Sequence, residues 1–201
     1  MSRKKSPEIN AGSMADIAFL LLIFFLVTTT MDVDAGINKK IPEKPVYDTP
    51  INIKEKNILE VNINSNNQLF VDGKIIELKD LKQIAINFID NGGGFDSNQQ
   101  PCNWCEGDRV ETSSDHPSKA IISIKTDRNT SYETYIATLD KLNLSYAFLR
   151  NKLAIKMYNT NYETLLDIYK KSNYRNESVA NRIKIIKDKY PLLISDAEIN
   201  N

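Results

Sequence analysis

The sequence contains little histidine, cysteine or net charge, and each shortage excludes a class of function. Its 201 residues include one His and two Cys, and 26 basic residues balance 26 acidic ones. Without a basic surplus a general nucleic-acid-binding protein is not expected, because neutralising phosphates requires positive charge. A lone histidine, His116, excludes a histidine-rich metal site. Seven Gly and seven Pro exclude collagen-like and low-complexity chains, which leaves a globular composition with room for about one ordinary domain.

The apolar residues are concentrated near the N-terminus. Residues 11–31 contain one charged residue, Asp16, and residues 17–27 are apolar without interruption. At 1.5 Å of rise per residue, a helix over 11–31 is about 31 Å long, which matches the hydrocarbon core of a bilayer. We therefore predict a transmembrane helix over residues 11–31.

The charges on either side of this run predict its orientation. Lys4 and Lys5 precede it and Asp32 follows it, which favours a cytoplasmic N-terminus and an extracytoplasmic remainder. Two other interpretations account less well for the run. A cleaved signal peptide ends in a small-x-small site, but Thr-Thr-Thr-Met follows the apolar residues here. A buried core helix normally keeps a polar stripe, which residues 17–27 lack.

Asp16 is the residue of interest in this span, about 8 Å from its start. A carboxylate inside a bilayer costs about 3 kcal/mol on insertion scales. On one interpretation the helix starts at Ala15, and Asp16 occupies a first turn where an acid suits the helix dipole. On the other interpretation, Asp16 faces partner protein or water and acts as a proton site. The residues alone leave both interpretations open.

Three segments occur along the chain in a distinctive order. Ile9, Asn10 and Asp16 fit the pattern Ile-Asn-x-Thr-Pro-x-x-Asp, except that Gly-Ser stands in place of Thr-Pro. N-Q-L-F-V-D-G-K follows at 67–74, and A-I-I-S-I-K-T-D-R-N-T-S-Y at 120–132. Together they resemble the ExbD/TolR family of biopolymer transport proteins. The resemblance covers about residues 8–158.

The resemblance implies an organisation in four parts. These are a cytoplasmic tail, an inner-membrane helix, a periplasmic linker and a periplasmic domain, at residues 1–10, 11–31, 32–57 and 58–201. It implies a homodimeric motor subunit, driven by the proton-motive force, that energises outer-membrane transport with an ExbB-like membrane oligomer and a TonB-like protein. Protons are then the coupling ion, with no cofactor, no nucleic acid and no enzymatic reaction.

The resemblance also assigns roles to individual residues. Asp16 becomes the proton-carrying carboxylate. Ile41 and Pro42 match an aliphatic–proline pair that in the family helps to gate or pair the complex. Two alternatives stand beside the motor: a TolR-like subunit for envelope maintenance, and a membrane-anchored periplasmic binding module in which Asp16 is structural and no protons are conducted.

Residue periodicity beyond the linker predicts an α+β domain. Apolar residues alternate at Leu59, Val61 and Ile63, and Asp72-Gly73 is typical of a hairpin turn. Helical spacing appears over 78–89 and 132–157, with an apolar strand at 120–125 between them. Two shorter helices and a strand at 192–195 complete the pattern. We expect a small mixed sheet with helices on one face, and a helical insertion over 150–190 before the last strand.

The connection over 91–119 is unusually long for a compact domain. It contains Cys102 and Cys105, for which three interpretations compete. Half of a zinc site requires two more ligands, and only His116 is near in sequence. A thioredoxin-like redox motif opens a helix after a strand, whereas this one lies in a polar loop. Outside the cytoplasm a local disulfide is the default, so we predict a Cys102–Cys105 disulfide.

Overall fold

The computed structural model of the protein describes residues 11–28 and 53–197. The chain divides into two compact units, Met1–Pro50 and Ile51–Asn201. In the first unit the described residues form the helix α1, Ala11–Thr28. Within the two described ranges, no helix has the length and apolar character required to span a membrane. Residues 29–31 of the predicted span and the pair Ile41 and Pro42 lie outside the described residues.

The second unit contains a five-stranded mixed sheet, as the alternating patterns predict. Its strands are β1 (Ile58–Ile63), β2 (Leu69–Val71), β3 (Lys74–Ile76), β4 (Ile121–Thr126) and β5 (Ile194–Ala197). Their order in the sheet is β3-β2-β1-β4-β5. The β1–β2 and β2–β3 pairs are antiparallel, and the β1–β4 and β4–β5 pairs are parallel. The last strand begins two residues later than predicted.

The two faces of the sheet differ in burial. Leu59, Val61 and Ile63 are buried on one face, which confirms the predicted alternation. On the other face Lys125 of β4 forms an ion pair of 3.1 Å with Glu60 of β1, and both side chains are about half exposed. The sheet therefore carries its helices on the apolar face and presents polar groups on the other.

The predicted hairpin turn lies between β2 and β3. Asp72 and Gly73 both have positive φ, 48° and 77°, the left-handed conformation that a two-residue hairpin turn requires. Aspartate tolerates this conformation better than most residues and glycine adopts it without strain. This turn sets the register of the outer hairpin.

Four helices complete the second unit: α2 (Leu78–Ile89), α3 (Tyr132–Tyr158), α4 (Tyr162–Lys171) and α5 (Glu177–Lys189). The Ser131 side chain caps the start of α3 by accepting from Thr134 N–H, and left-handed Asn159 ends the helix. The middle of the predicted stripe of α3 is buried, at Leu139, Leu142, Tyr146, Leu149 and Leu153. The ends of that stripe, Tyr132 and Met157, are exposed instead.

The described residues 53–57 lie before the predicted boundary at residue 58 and belong to the second unit. Residues Glu55–Asn57 form a 3₁₀ turn that leads directly into β1, and Asn57 is buried. Polar contacts hold this turn on the domain, because its side chains bind a carboxylate in the long loop over 91–119. At the other end of the unit, α4 and α5 occupy the predicted helical insertion between α3 and β5.

Candidate functional site

Asp16 lies inside α1 and not at its start. The helix begins at Ala11, so Asp16 is its sixth residue and its first turn carries no acid. The interpretation that Asp16 occupies the first turn of a helix starting at Ala15 is therefore wrong. The helix dipole acts mainly within the first turn, so it gives little reason for an acid at this position.

The side chains around Asp16 are apolar and point outward on all sides of the helix. Ile17 and Phe19 to Leu26 are large apolar residues, each between 43% and 65% exposed. Eight consecutive residues cover more than two helical turns, so these side chains leave no polar stripe. An apolar surface of this kind requires cover by protein or lipid. Asp16 is the one ionisable group on this helix.

In the second unit, the long loop over 91–119 is folded tightly around Asn91. This residue is 2% exposed, and its side-chain amide donates to the carbonyls of Val110 and Ser114 at 2.9 and 2.7 Å. Its side-chain oxygen accepts from Val110 N–H at 2.8 Å. The Ser114 hydroxyl in turn donates to the carbonyl of Phe88 near the end of α2. Buried polar side chains thus hold the loop in place.

Cys102 and Cys105 are bonded to each other within this loop, with 5.5 Å between their Cα atoms. Both are buried, at 2% and 7% exposure. They pack on Gly92, where a Cβ atom would come within 2.8 Å of the Cβ of Cys105. Among the described residues no group of three potential His, Cys, Asp or Glu ligands could hold a metal ion.

His116 and Trp104 pack together beneath the end of α5. The His116 ring is 3% exposed and lies edge-on to Trp104, with 5.3 Å between ring centroids. Its Nδ1 accepts from Ser118 N–H at 3.1 Å, and burial lowers the pKa of the imidazole. On the indole face, the Lys189 ammonium lies 3.5 Å from the centroid. The histidine therefore belongs to the packing between the loop and α5.

Asp90 connects the end of α2 to the end of α5. This carboxylate is 4% exposed and accepts a hydrogen bond of 2.6 Å from the Tyr190 hydroxyl. It also accepts from Glu106 N–H at 3.2 Å. Burial raises the pKa of Asp90, and these two hydrogen bonds oppose the rise. Burial and the adjacent carboxylate also raise the pKa of Tyr190.

Two further carboxylates of the loop each bind two lysines. Glu106 lies 2.7 Å from Lys152 and 2.9 Å from Lys156, both on α3, and these bonds lower its pKa to about 2. Asp115 is bound by Lys56 and Lys54 from the chain before β1. Burial raises the pKa of Asp115, but its bonds to Lys56, Asn57 and Lys54 outweigh burial and lower it to about 2.

The segment at 120–132, one of the three on which the resemblance rests, lines an open groove of about 700 Å³. Asp127, Arg128 and Tyr132 come from that segment, and Asp196 and Tyr135 also line the groove. The Tyr135 hydroxyl donates to the Asp196 carboxylate at 3.2 Å. The groove therefore lies where β4 and β5 end and α3 begins. Its lining is charged and aromatic.

The predicted site residues fall in different parts of the chain. Asp16 is in the first unit, Cys102 and Cys105 are in the second, and Ile41 and Pro42 lie outside the described residues. Sequence reasoning missed Asp90 and Asp115 as structural centres. The only sequence signal for them was their position at the two ends of an unusually long loop, which must be held by polar contacts if it is folded.

Comparison with protein families identifies the class to which the chain belongs. The model of the family described as "Biopolymer transport protein ExbD/TolR" matches residues 2–157, well over half of the chain. The protein therefore belongs to the ExbD/TolR family, and the resemblance stated from the three segments is confirmed. Membership associates it with biopolymer transport, in a family anchored in the inner membrane with periplasmic domains.

The matched range also divides the second unit. It ends within one residue of the last residue of α3, so α4, α5 and β5 lie beyond it. No match was found among curated proteins. The predicted insertion over 150–190 thus lies only partly outside the matched range, which includes residues 150–157, and β5 beyond that range completes the same sheet.

Proposed function

We propose that this protein is the ExbD-like subunit of a proton-driven motor in the inner membrane that energises outer-membrane transport. In this proposal residues 11–31 are the membrane anchor, the second unit is periplasmic, and two copies form a homodimer within an ExbB-like oligomer. Membership of the ExbD/TolR family supports the general role in transport. The observation that carries the mechanism is Asp16, the one ionisable group on an exposed apolar helix.

Asp16 would carry protons between the two sides of the membrane. A proton crossing the membrane potential supplies about 2.3 kcal/mol per 100 mV. When Asp16 is charged it requires polar surroundings, and when it is neutral the same helix face tolerates apolar surroundings. Cycling between these forms would change which surface of the ExbB-like partner α1 prefers, and this change would rotate or shift the helix.

The second unit would transmit this movement to a TonB-like partner. The groove lined by Asp127, Arg128 and Tyr132 supports this step, because a family-like segment forms a surface there that is open to a ligand. Ile41 and Pro42 remain proposed as residues that pair or gate the complex. Protons are the only coupling ion that this mechanism requires.

Replacing Asp16 tests the motor directly. Asp16→Asn keeps the size and hydrogen bonding of the side chain but cannot ionise, so we expect energised uptake to be lost while complex assembly is retained. Asp16→Glu is the matched control, since it keeps an ionisable carboxyl, and it should retain measurable uptake. Normal uptake with Asp16→Asn would refute the mechanism.

Two other readouts distinguish the alternatives. A TolR-like subunit predicts that Asp16→Asn causes periplasmic leakage and detergent sensitivity, with the uptake of outer-membrane ligands intact. A binding module without proton conduction predicts equal proton flux in vesicles that contain the partner complex with wild-type protein or with Asp16→Asn. The motor predicts lower flux for the variant.

A further inference from the structure

Residues 53–57, here called the entry segment, lead into β1, and three of their side chains bind one carboxylate. Lys56 Nζ lies 2.6 Å from Asp115 Oδ1, and Lys54 Nζ lies 3.4 Å from Oδ2. Asn57 donates to Oδ2 at 3.2 Å and accepts from the Asp115 N–H at 2.7 Å. Charge-assisted and reciprocal bonds of this kind are the strong ones in proteins.

Little else in the entry segment is buried. Ile53 is 41% exposed, Lys54 and Glu55 are also exposed, and of the five residues only Asn57 is buried. Apolar burial therefore contributes little to holding the segment on the domain. Besides Asp115, Lys56 also reaches the loop through a hydrogen bond of 2.9 Å to the carbonyl of Glu111.

The opposite side of this contact is fixed to the body of the domain. The Asp115 carbonyl accepts from Gly94 N–H at 2.7 Å, and a Cβ on residue 94 would lie 2.5 Å from the Asp115 carboxylate. A larger residue at 94 would therefore displace the carboxylate. The neighbouring Ser114 is hydrogen-bonded to Phe88 in α2. A load on the entry segment thus passes through Asp115 to the loop over 91–119 and to α2.

We propose that Asp115 is a positioning residue that docks the entry segment on the domain and sets the point at which the linker leaves it. While the entry segment is docked, force applied to the linker is transmitted to β1 through the backbone. It is also transmitted to α2 through Asp115 and the loop over 91–119. Once the segment is released, its five residues add up to about 17 Å of extended chain to the linker. Docking does not depend on the proposed function, but transmitting the motor's movement through Asp115 rests on it.

Docking is tested by hydrogen exchange of the full-length protein in detergent. Two reporter amides lie in the entry turn: Asn57 N–H donates to the Lys54 carbonyl, and Ile58 N–H to the Glu55 carbonyl. Asp115→Asn removes the charge but keeps the side-chain size, and we expect exchange of these amides to accelerate about tenfold or more. Unchanged exchange would overturn the proposal.

Glu106→Gln is the matched control. Like Asp115, Glu106 is a carboxylate of the long loop that binds two lysines, but its lysines belong to α3. Its replacement should leave exchange of the entry segment unchanged. If both variants accelerate exchange equally, the effect reflects general loosening of the loop and the proposal fails.

Lys56→Met keeps the test decisive if Asp115→Asn does not fold. Lys56 is 29% exposed, so its replacement leaves the packing of the domain largely intact. It should accelerate exchange of the same amides on its own, because it removes the 2.6 Å ion pair with Asp115. Unchanged exchange in Lys56→Met would contradict docking through this pair.

Function and docking are separated by two measurements on Asp115→Asn. If both proposals hold, energised uptake falls at least severalfold, whereas proton flux in vesicles containing the partner complex stays at the wild-type level. Faster exchange with unchanged uptake would leave docking intact and overturn its role in transmission. Loss of proton flux would also overturn that role, because Asp115 would then affect the proton path.

Discussion

The hydrogen bond between Tyr190 and Asp90 gives a stability prediction whose size depends on pH. Tyr190→Phe removes a hydroxyl that donates at 2.6 Å to a carboxylate only 4% exposed. A hydrogen bond to a charged group contributes about 1.5–3 kcal/mol, whereas one between neutral groups contributes about 0.5–1.5 kcal/mol. The Arg150 contact is kept, because its guanidinium binds the carbonyl of Tyr190 and not the ring.

The sign of the pH dependence follows from the direction of the Asp90 shift. Burial raises the pKa of Asp90 above its unfolded value, so the folded state binds this proton more readily than the unfolded chain. The cost of burying the charge is therefore full at neutral pH and is relieved as the pH falls through the folded pKa. Tyr190→Phe removes a bond that favours the charged form, so its destabilisation should be about 1.5–3 kcal/mol at pH 7 and smaller near pH 4.

The one tryptophan provides the assay. Trp104 lies with Asp90 and Tyr190 around the same small cavity, so its fluorescence reports unfolding of this region. Urea titrations at pH 7 and pH 4 give the free energy of unfolding for wild type and variant. Tyr132→Phe makes the same chemical change at a residue 77% exposed and should have almost no effect. An equal loss for Tyr190→Phe at both pH values would refute an ionised Asp90 as the acceptor.

Three further predictions concern the second unit. Replacing Cys102 and Cys105 by Ser should change the melting temperature of the second unit only slightly and leave energised uptake intact, because the disulfide closes a very short ring. Bound zinc in elemental analysis of the wild-type protein would contradict this prediction. Leu142→Ala, at a fully buried position of α3, should lower the free energy of unfolding by about 2–5 kcal/mol in urea, against almost no change for the exposed Asp140→Ala. A fragment over 53–201 should be soluble, unfold cooperatively by circular dichroism and dimerise only weakly. A fragment over 58–201 should be less stable, because it lacks the bonds of Lys54, Lys56 and Asn57 to Asp115. Equal stability of the two fragments would count against a structural role for those bonds.

The elements with strong periodicity could be predicted from the sequence, because burial of one face dictates the spacing of apolar residues. β1, α2 and the buried middle of α3 all follow this rule, and the hairpin at Asp72-Gly73 follows from the left-handed conformation that its two turn residues adopt. The exposed ends of the α3 stripe show its limit. An apolar residue at helical spacing is buried only where another element packs on it. The spacing of apolar residues in the sequence does not show where that packing occurs.

The polar framework could not be predicted, because its partners are far apart in the chain. Asp90 and Tyr190 are separated by 100 residues, and Asn57 and Asp115 by 58. Periodicity indicates which face of an element is buried but not which polar groups meet across such distances. The start of α1 was ambiguous for a related reason. Gly12 and Ser13 are weak helix formers, so local propensity did not place the helix start four residues before Ala15.

The order of the strands has a consequence for how quickly the second unit can fold. β1 pairs with β4, whose residues lie 63 positions later, and β4 pairs with β5, another 72 positions along the chain. Pairings between such distant segments give a high contact order, which slows folding because the connecting chain must be closed into loops first. Until residues 194–197 have been synthesised, one edge of β4 has no strand to pair with. Unpaired edges are sites of aggregation, so chains truncated after α5 should misassemble more readily than the intact protein.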